Sequence, residues 1–131
     1  EFREAMIDWY ACKAVPKIEV TSVWVNYMKA GEFNPPHVHT QCDFSSVIFL
    51  DIPEELKKEN REYIGTAAGP GCLQFMHGEP VEHTINQKTF FPEKGDLFMF
   101  PGTLRHLVCP FQSDIERVSV AANFKVEVLD K

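Results

Sequence analysis

No basic run interrupts this sequence. Lys and Arg total 13 against 19 Asp and Glu in 131 residues, a net charge of −6. Domains that grip a phosphate backbone gather cations on one face, so nucleic acid is not an expected partner. No apolar stretch approaches the roughly 20 residues of a membrane-spanning helix, and no signal-peptide pattern opens the chain. A membrane partner is therefore not expected either. The four cysteines, Cys12, Cys42, Cys72 and Cys109, are scattered and form no C-x-x-C. A chain of this size does not need disulfide staples. Free thiols in a reducing compartment follow, and with them a cytoplasmic location. Linkers, repeats and low-complexity tracts are also missing, which fits one domain over residues 1–131. Oligomeric state is left open.

Helix signals are nearly as scarce. "EFREAMIDWYACKAV" places Phe2, Ala5, Met6, Trp9 and Cys12 at helical spacing, and Pro16 closes it. One short N-terminal helix over 1–16 is expected. "PEELKKENREYIG" reads as a charged excursion with a helical turn or two.

What remains is strand. "KIEVTSVWVNYMKA", "FSSVIFLDIP", "GCLQFMHG", "VEHTIN", "KTFFPEKG", "GDLFMFPG", "RHLVCPF" and "ERVSVAANFKVEVL" are rich in β-branched and aromatic residues. Gly, Pro and Asn divide them, and "INQKT" suits a hairpin turn. About eight strands with turns at such intervals indicate an all-β antiparallel sandwich or barrel. Eleven phenylalanines make its core aromatic. Several strands are apolar on both faces, so a sheet needs an outer cover, and the N-terminal helix is available for it.

Only five histidines are present, yet "GEFNPPHVHTQCD" places two of them, His37 and His39, around one valine. On a strand these share a face about 7 Å apart. Alone, such a pair is two ordinary polar residues at a strand start. "PEKGDLFMFPGTLRHLV" adds His106 just after the Pro101-Gly102 turn, a natural position for a third ligand. Imidazoles with open coordination positions suit Fe, Zn, Cu or Ni, and two histidines with a carboxylate are the non-haem Fe(II) arrangement. Asp43 has the parity of 37 and 39, so its carboxylate is a reserve ligand or an outer partner; a solvated or turn-capping aspartate is the plain alternative. Farther on, "ERVSVAANF" alternates Arg117, Ser119, Ala121 and Asn123 against Val118, Val120, Ala122 and Phe124. Facing water, this is a plain amphipathic strand. Facing inward, Arg117 can grip a carboxylate with two hydrogen bonds and Ser119 can add a third.

Taken in order, Trp24, Asn26, Gly31, His37, His39, Ser45, "GDLFMFPGTLRH" and "ERVSVAANF" resemble the 2-oxoglutarate- and Fe(II)-dependent oxygenases, closest to an uncharacterised bacterial and viral subgroup. The likeness covers residues 18–128. It implies a double-stranded β-helix, the jelly-roll or cupin-like barrel, with iron held by His37, His39 and His106. It also implies 2-oxoglutarate as cosubstrate, its keto-acid end on the iron and its distal carboxylate at Arg117 and Ser119. The implied reaction is hydroxylation of an unknown substrate by O2 with release of succinate and CO2. Tyr27 stands where prolyl-hydroxylase relatives carry a tyrosine that contacts the same carboxylate, with Asn26 the neighbouring alternative on the opposite strand face. One departure is His39, since the broader family has Asp or Glu there.

A second pattern competes. Gly31, "HVH" and Asp43, then Gly95, Pro101 and His106, resemble imperfect copies of the two cupin metal motifs, which would imply a metal-dependent enzyme or small-molecule binder without 2-oxoglutarate. Cupins do not require an arginine after the last ligand, so Arg117 with Ser119 favours the oxygenase. A metal-free binding module would need the ordered set to arise by coincidence. His77 and His83 read as surface residues or substrate contacts, and Cys42 and Cys109 as small apolar fillers. Substrate determinants are expected between Pro53 and Phe91; a peptide or a small metabolite suits equally.

Overall fold

The computed structural model describes residues 17–127. The helix expected over 1–16, and with it the proposed sheet cover, lies outside the described residues. Strand β1 (Lys17–Lys29) is followed by β2 (Asn34–His37) and β3 (Phe44–Asp51). Helix α1 (Glu54–Glu62) precedes β4 (Leu73–Met76), β5 (Gln87–Phe90), β6 (Leu97–Pro101), β7 (Arg105–Val108) and β8 (Glu116–Glu127). The strands form two four-stranded sheets, in the orders β1-β8-β3-β6 and β2-β7-β4-β5, and each pairing is antiparallel. This is the double-stranded β-helix. No helix among the described residues is long and apolar enough to cross a membrane.

Alternation along the strands decides what enters the space between the sheets. On β1, Met28 is buried and Trp24 and Asn26 are half-buried, whereas Val23, Val25 and Tyr27 are exposed on the outer side. On β8 the inward set is Arg117, Ser119, Ala121 and Asn123. One end of the interior is filled by Met28, Phe49, Ile52, Leu56, Leu73, Val108 and Phe111. Aromatic edges lock the middle: Phe75 meets Phe100 at 4.9 Å, and Phe49 meets Phe98 at 6.0 Å, both edge-to-face.

Helix α1 is longer than the turn or two expected. Leu56 is its only buried residue, so no apolar stripe announces it. Charge supports it instead: Glu54 lies 3.0 Å from Arg61 and 3.3 Å from Lys57. The Glu59 carboxylate accepts hydrogen bonds from the backbone N–H of Gln112 and Ser113, each at 2.8 Å, which docks the helix on the β7–β8 loop. The strand expected at "VEHTIN" does not form. These residues make a turn in the β4–β5 connection, with His83 at φ 65 and Ile85 93% exposed; without a pairing partner or a buried face, alternation alone does not make a strand. The hairpin turn consequently spans His77 to Asn86, closed by a 2.9 Å bond between them, rather than "INQKT". Cys42, Cys72 and Cys109 are buried free thiols; Cys12 lies outside the described residues.

Candidate metal centre

Between the sheets lies a cavity of about 180 Å³, bordered by Trp24, Asn26, His37, His39, His106, Arg117 and Ser119, with Phe49 and Phe100 among its apolar walls. It brings together residues from β1, β2, β7 and β8.

His37 ends β2, an edge strand whose Pro35 and Pro36 cost little because an edge leaves backbone groups unpaired. His37 pairs directly with His106 on β7. His39 arrives differently. Past His37 the strand stops, Gln41 takes φ 66, and the chain bends back toward β3. Contacts with Gly102 hold the bend: His39 N–H donates to the Gly102 carbonyl at 2.8 Å, and Gly102 N–H donates to the Asp43 carbonyl at 2.9 Å. Gly102 must be glycine, since a Cβ there would lie 2.9 Å from the Cys42 carbonyl oxygen.

One side-chain nitrogen from each of His37, His39 and His106 lies within 4.8 Å of the others. Each ring is oriented by its other nitrogen. His37 Nδ1 is 2.7 Å from the Pro35 carbonyl, His106 Nδ1 2.9 Å from that of Leu104, and His39 Nδ1 2.9 Å from Asn123 Oδ1. A backbone carbonyl can only accept, so Nδ1 of His37 and of His106 carries the proton and Nε2 keeps its lone pair; His39 shares that arrangement when Asn123 turns Oδ1 toward it. Such a donor set, with each ring supported from outside, could hold a transition-metal ion. Burial favours the neutral form of two of the rings, lowering His39 and taking His106 down to about 4, with the neighbouring histidines adding to the effect. Trp24 stacks on His39 at 5.8 Å, and Phe100 meets His106 edge-on at 4.7 Å.

Asp43 is placed elsewhere. The bend at Gln41 breaks the strand parity that would align it with the histidines. Its carboxylate instead accepts Val126 N–H at 2.8 Å and lies 3.7 Å from Lys125 Nζ.

Arg117 is 2% exposed. Its Nη1 donates to the Gly71 carbonyl at 3.0 Å, its Nη2 points at the weak acceptor Met28 Sδ at 3.2 Å, and its buried Nε has no partner. The guanidinium stacks over Phe49 at 5.2 Å. Among the described residues no carboxylate pairs with it, and desolvation pulls its pKa down to about 10. Ser119, two residues on, is equally buried and borders the same cavity. Tyr27, expected beside them, is 60% exposed on the outer face and does not border this cavity. Strand alternation turns its neighbour Asn26 inward instead. The sequence reading assigned no role to Asn123 or Ser45 as supports of His39. The signal for Asn123 was shared parity with Arg117 on β8, and for Ser45 its place in the ordered set that carries the resemblance.

A sequence family described as "Putative 2OG-Fe(II) oxygenase" matches residues 22–123. Among solved structures, an oxidoreductase of the 2OG-Fe(II) oxygenase family from Burkholderia pseudomallei superposes with a TM-score of 0.61 at 17% identity, covering 94% of this chain and 51% of that one. This chain thus spans about half the length of the Burkholderia protein, and at that identity the likeness is one of fold. A cupin domain from Bordetella pertussis reaches a TM-score of 0.48 at 19% identity, covering 87% of this chain and 95% of that one. No curated protein matches the sequence. The family match takes in every residue that borders the cavity and runs from residue 22 to residue 123 of 131, and the chain belongs to that 2OG-Fe(II) oxygenase family.

Proposed function

We propose that this chain is a 2-oxoglutarate- and Fe(II)-dependent dioxygenase that hydroxylates a substrate and releases succinate and CO2. One observation carries the proposal: a single cavity holds three convergent imidazoles and a buried guanidinium that no carboxylate among the described residues pairs with. An unpaired buried charge is costly, and a dicarboxylic acid with one end at the metal would supply the missing partner.

In this reading His37, His39 and His106 hold Fe(II) through Nε2. Arg117 and Ser119 receive the distal carboxylate of 2-oxoglutarate, with Asn26 beside them on β1. When bound, Fe(II) and 2-oxoglutarate supply the oxidation by O2, coupled to decarboxylation of the cosubstrate. The protein's own work is to orient and to exclude water. The backbone carbonyls of Pro35 and Leu104 and the Asn123 amide fix the three rings, and Trp24, Phe49 and Phe100 keep the interior dry.

Anaerobic titration tests the proposal. Fe(II) and 2-oxoglutarate together are expected to give a visible charge-transfer band that neither gives alone and that His106→Ala abolishes. Arg117→Lys keeps the cation but loses the planar fork, and is expected to raise the 2-oxoglutarate requirement by about tenfold or more, the factor that 1.4 kcal/mol of lost affinity represents. A wild-type protein that binds Fe(II) but gives no band would point instead to a metal protein that does not use 2-oxoglutarate.

A further inference from the structure

The three imidazoles are not held alike. His37 and His106 each direct Nδ1 at the carbonyl two residues upstream, Pro35 at 2.7 Å and Leu104 at 2.9 Å. Both acceptors are main-chain atoms, Pro35 on β2 itself and Leu104 in the turn that leads into β7. His39 depends on a side chain from another strand, Asn123 Oδ1 at 2.9 Å. The buried Ser45 closes the group: its Oγ is 2.9 Å from Asn123 Oδ1, 3.2 Å from the Ala122 carbonyl and 3.4 Å from His39 Nδ1.

A carboxamide has two ends. With Oδ1 toward the ring, His39 carries its proton on Nδ1 and turns the Nε2 lone pair toward His37 and His106. With the NH2 end toward the ring, Nδ1 becomes the acceptor and the proton moves to Nε2, where it blocks coordination. A backbone carbonyl offers no such choice. The third ligand is therefore conditional in a way the other two are not.

We propose that Asn123, held in place by Ser45, is the positioning residue that makes His39 a competent metal ligand by setting its tautomer. The inference rests on the reading of the histidine trio as a metal site, but its first readout needs no metal. Ring-nitrogen NMR of the metal-free protein near neutral pH is expected to show the proton of His39 on Nδ1, as in His37 and His106. In Asn123→Leu the His39 signals move toward the Nε2–H form while those of His37 and His106 stay in place. Co(II), followed by its visible d–d absorption, then binds about 10–100-fold more weakly, the usual cost of losing an outer partner. Asn123→Asp, an acceptor at every orientation, restores Nδ1–H and brings Co(II) binding back to near wild type. Ser45→Ala shows a smaller loss in the same direction.

Three results would overturn the inference. One is His39 protonated on Nε2 in the wild-type protein. Another is Asn123→Leu binding Co(II) as well as wild type. The third is Asn123→Asp failing as badly as Asn123→Leu, which also decides the matter if the leucine variant misfolds. A wild-type protein whose His39 has the expected tautomer but takes no Co(II) would remove the metal reading itself, a distinguishable failure.

Discussion

His37 and His106 stand opposite each other in the β2–β7 ladder, with ring centroids 4.3 Å apart. Sheet pairing alone brings these two rings together. His39 relies on a loop, a glycine and a neighbouring amide. In the proposed metal site the three positions are thus unequally supported, and the weak point is the bend between β2 and β3.

That inequality is tested at Gly102. An added Cβ would meet Cys42 Sγ at 2.8 Å, the Cys42 carbonyl oxygen at 2.9 Å and that of His39 at 3.2 Å. Backbone cannot rotate aside as a side chain can, so in Gly102→Ala the loop over 39–43 must shift. Overpacking of this kind costs about 1–3 kcal/mol, which denaturant melts would read. Co(II) affinity is expected to fall alongside, because the shifted segment carries His39. An unchanged affinity in a destabilised variant would mean that the loop does not set the third ligand.

Acid should weaken the metal-free protein through His106. Burial holds this ring at about 4, while in the unfolded chain it titrates near its ordinary value of about 6.5. Between those values the unfolded state binds more protons, so stability rises with pH across that window. His106 thus costs nothing above about pH 6.5, and destabilisation grows as pH falls toward 4. Melts of metal-free wild type and His106→Gln over this window check it. The variant is expected to show the shallower slope, and parallel slopes would contradict the assignment.

How much of this was legible in the sequence follows from what makes each element. Strands β1, β3 and β8 were legible because burial of one face or both imposes a pattern on every second residue. The "GDLFMFPGTLRH" run placed His106 correctly, since Pro101 and Gly102 mark a turn by their own backbone preferences. Helix α1 was underestimated because it buries Leu56 alone, leaving periodicity nothing to detect. Parity failed twice. "VEHTIN" alternates but has no strand to pair with, and Asp43 shares the parity of His37 only if Gln41 stays extended, which its φ of 66 shows it does not. Tyr27 and Asn26 could not be separated until the register of β1 against β8 was known. Asn123 as a partner of His39 depends on two strands meeting across a sheet, and spacing along one strand does not encode that.

Asp43 and His39 were rivals for the third position, and their variants should part cleanly. Asp43→Ala loses the acceptor for Val126 N–H and the contact with Lys125, both at a half-exposed strand end. A loss of about 1 kcal/mol in stability is expected, with metal affinity retained. His39→Ala is expected to lose most metal affinity while folding normally. Equilibrium dialysis against Co(II) distinguishes them, and the reverse ranking would move the third ligand to Asp43.

The sharpest separation of stability from function should come at Arg117. If a carboxylate of the protein paired with this buried cation, truncation would strand that partner at a cost of about 3–5 kcal/mol. No such partner exists among the described residues; Arg117 has only the Gly71 carbonyl, a thioether and the Phe49 ring. Arg117→Met fills similar volume and removes a desolvated charge, at the expense of one hydrogen bond to a backbone carbonyl. The two terms are of comparable size, about 1–3 kcal/mol each, so the metal-free variant should melt close to wild type. Binding of 2-oxoglutarate should be lost at the same time, and with it the thermal shift that the cosubstrate gives the Fe(II)-loaded protein under anaerobic conditions. A variant that melts far below wild type would mean that Arg117 holds the fold together, whereas one that keeps the cosubstrate shift would remove this guanidinium from the dicarboxylate site.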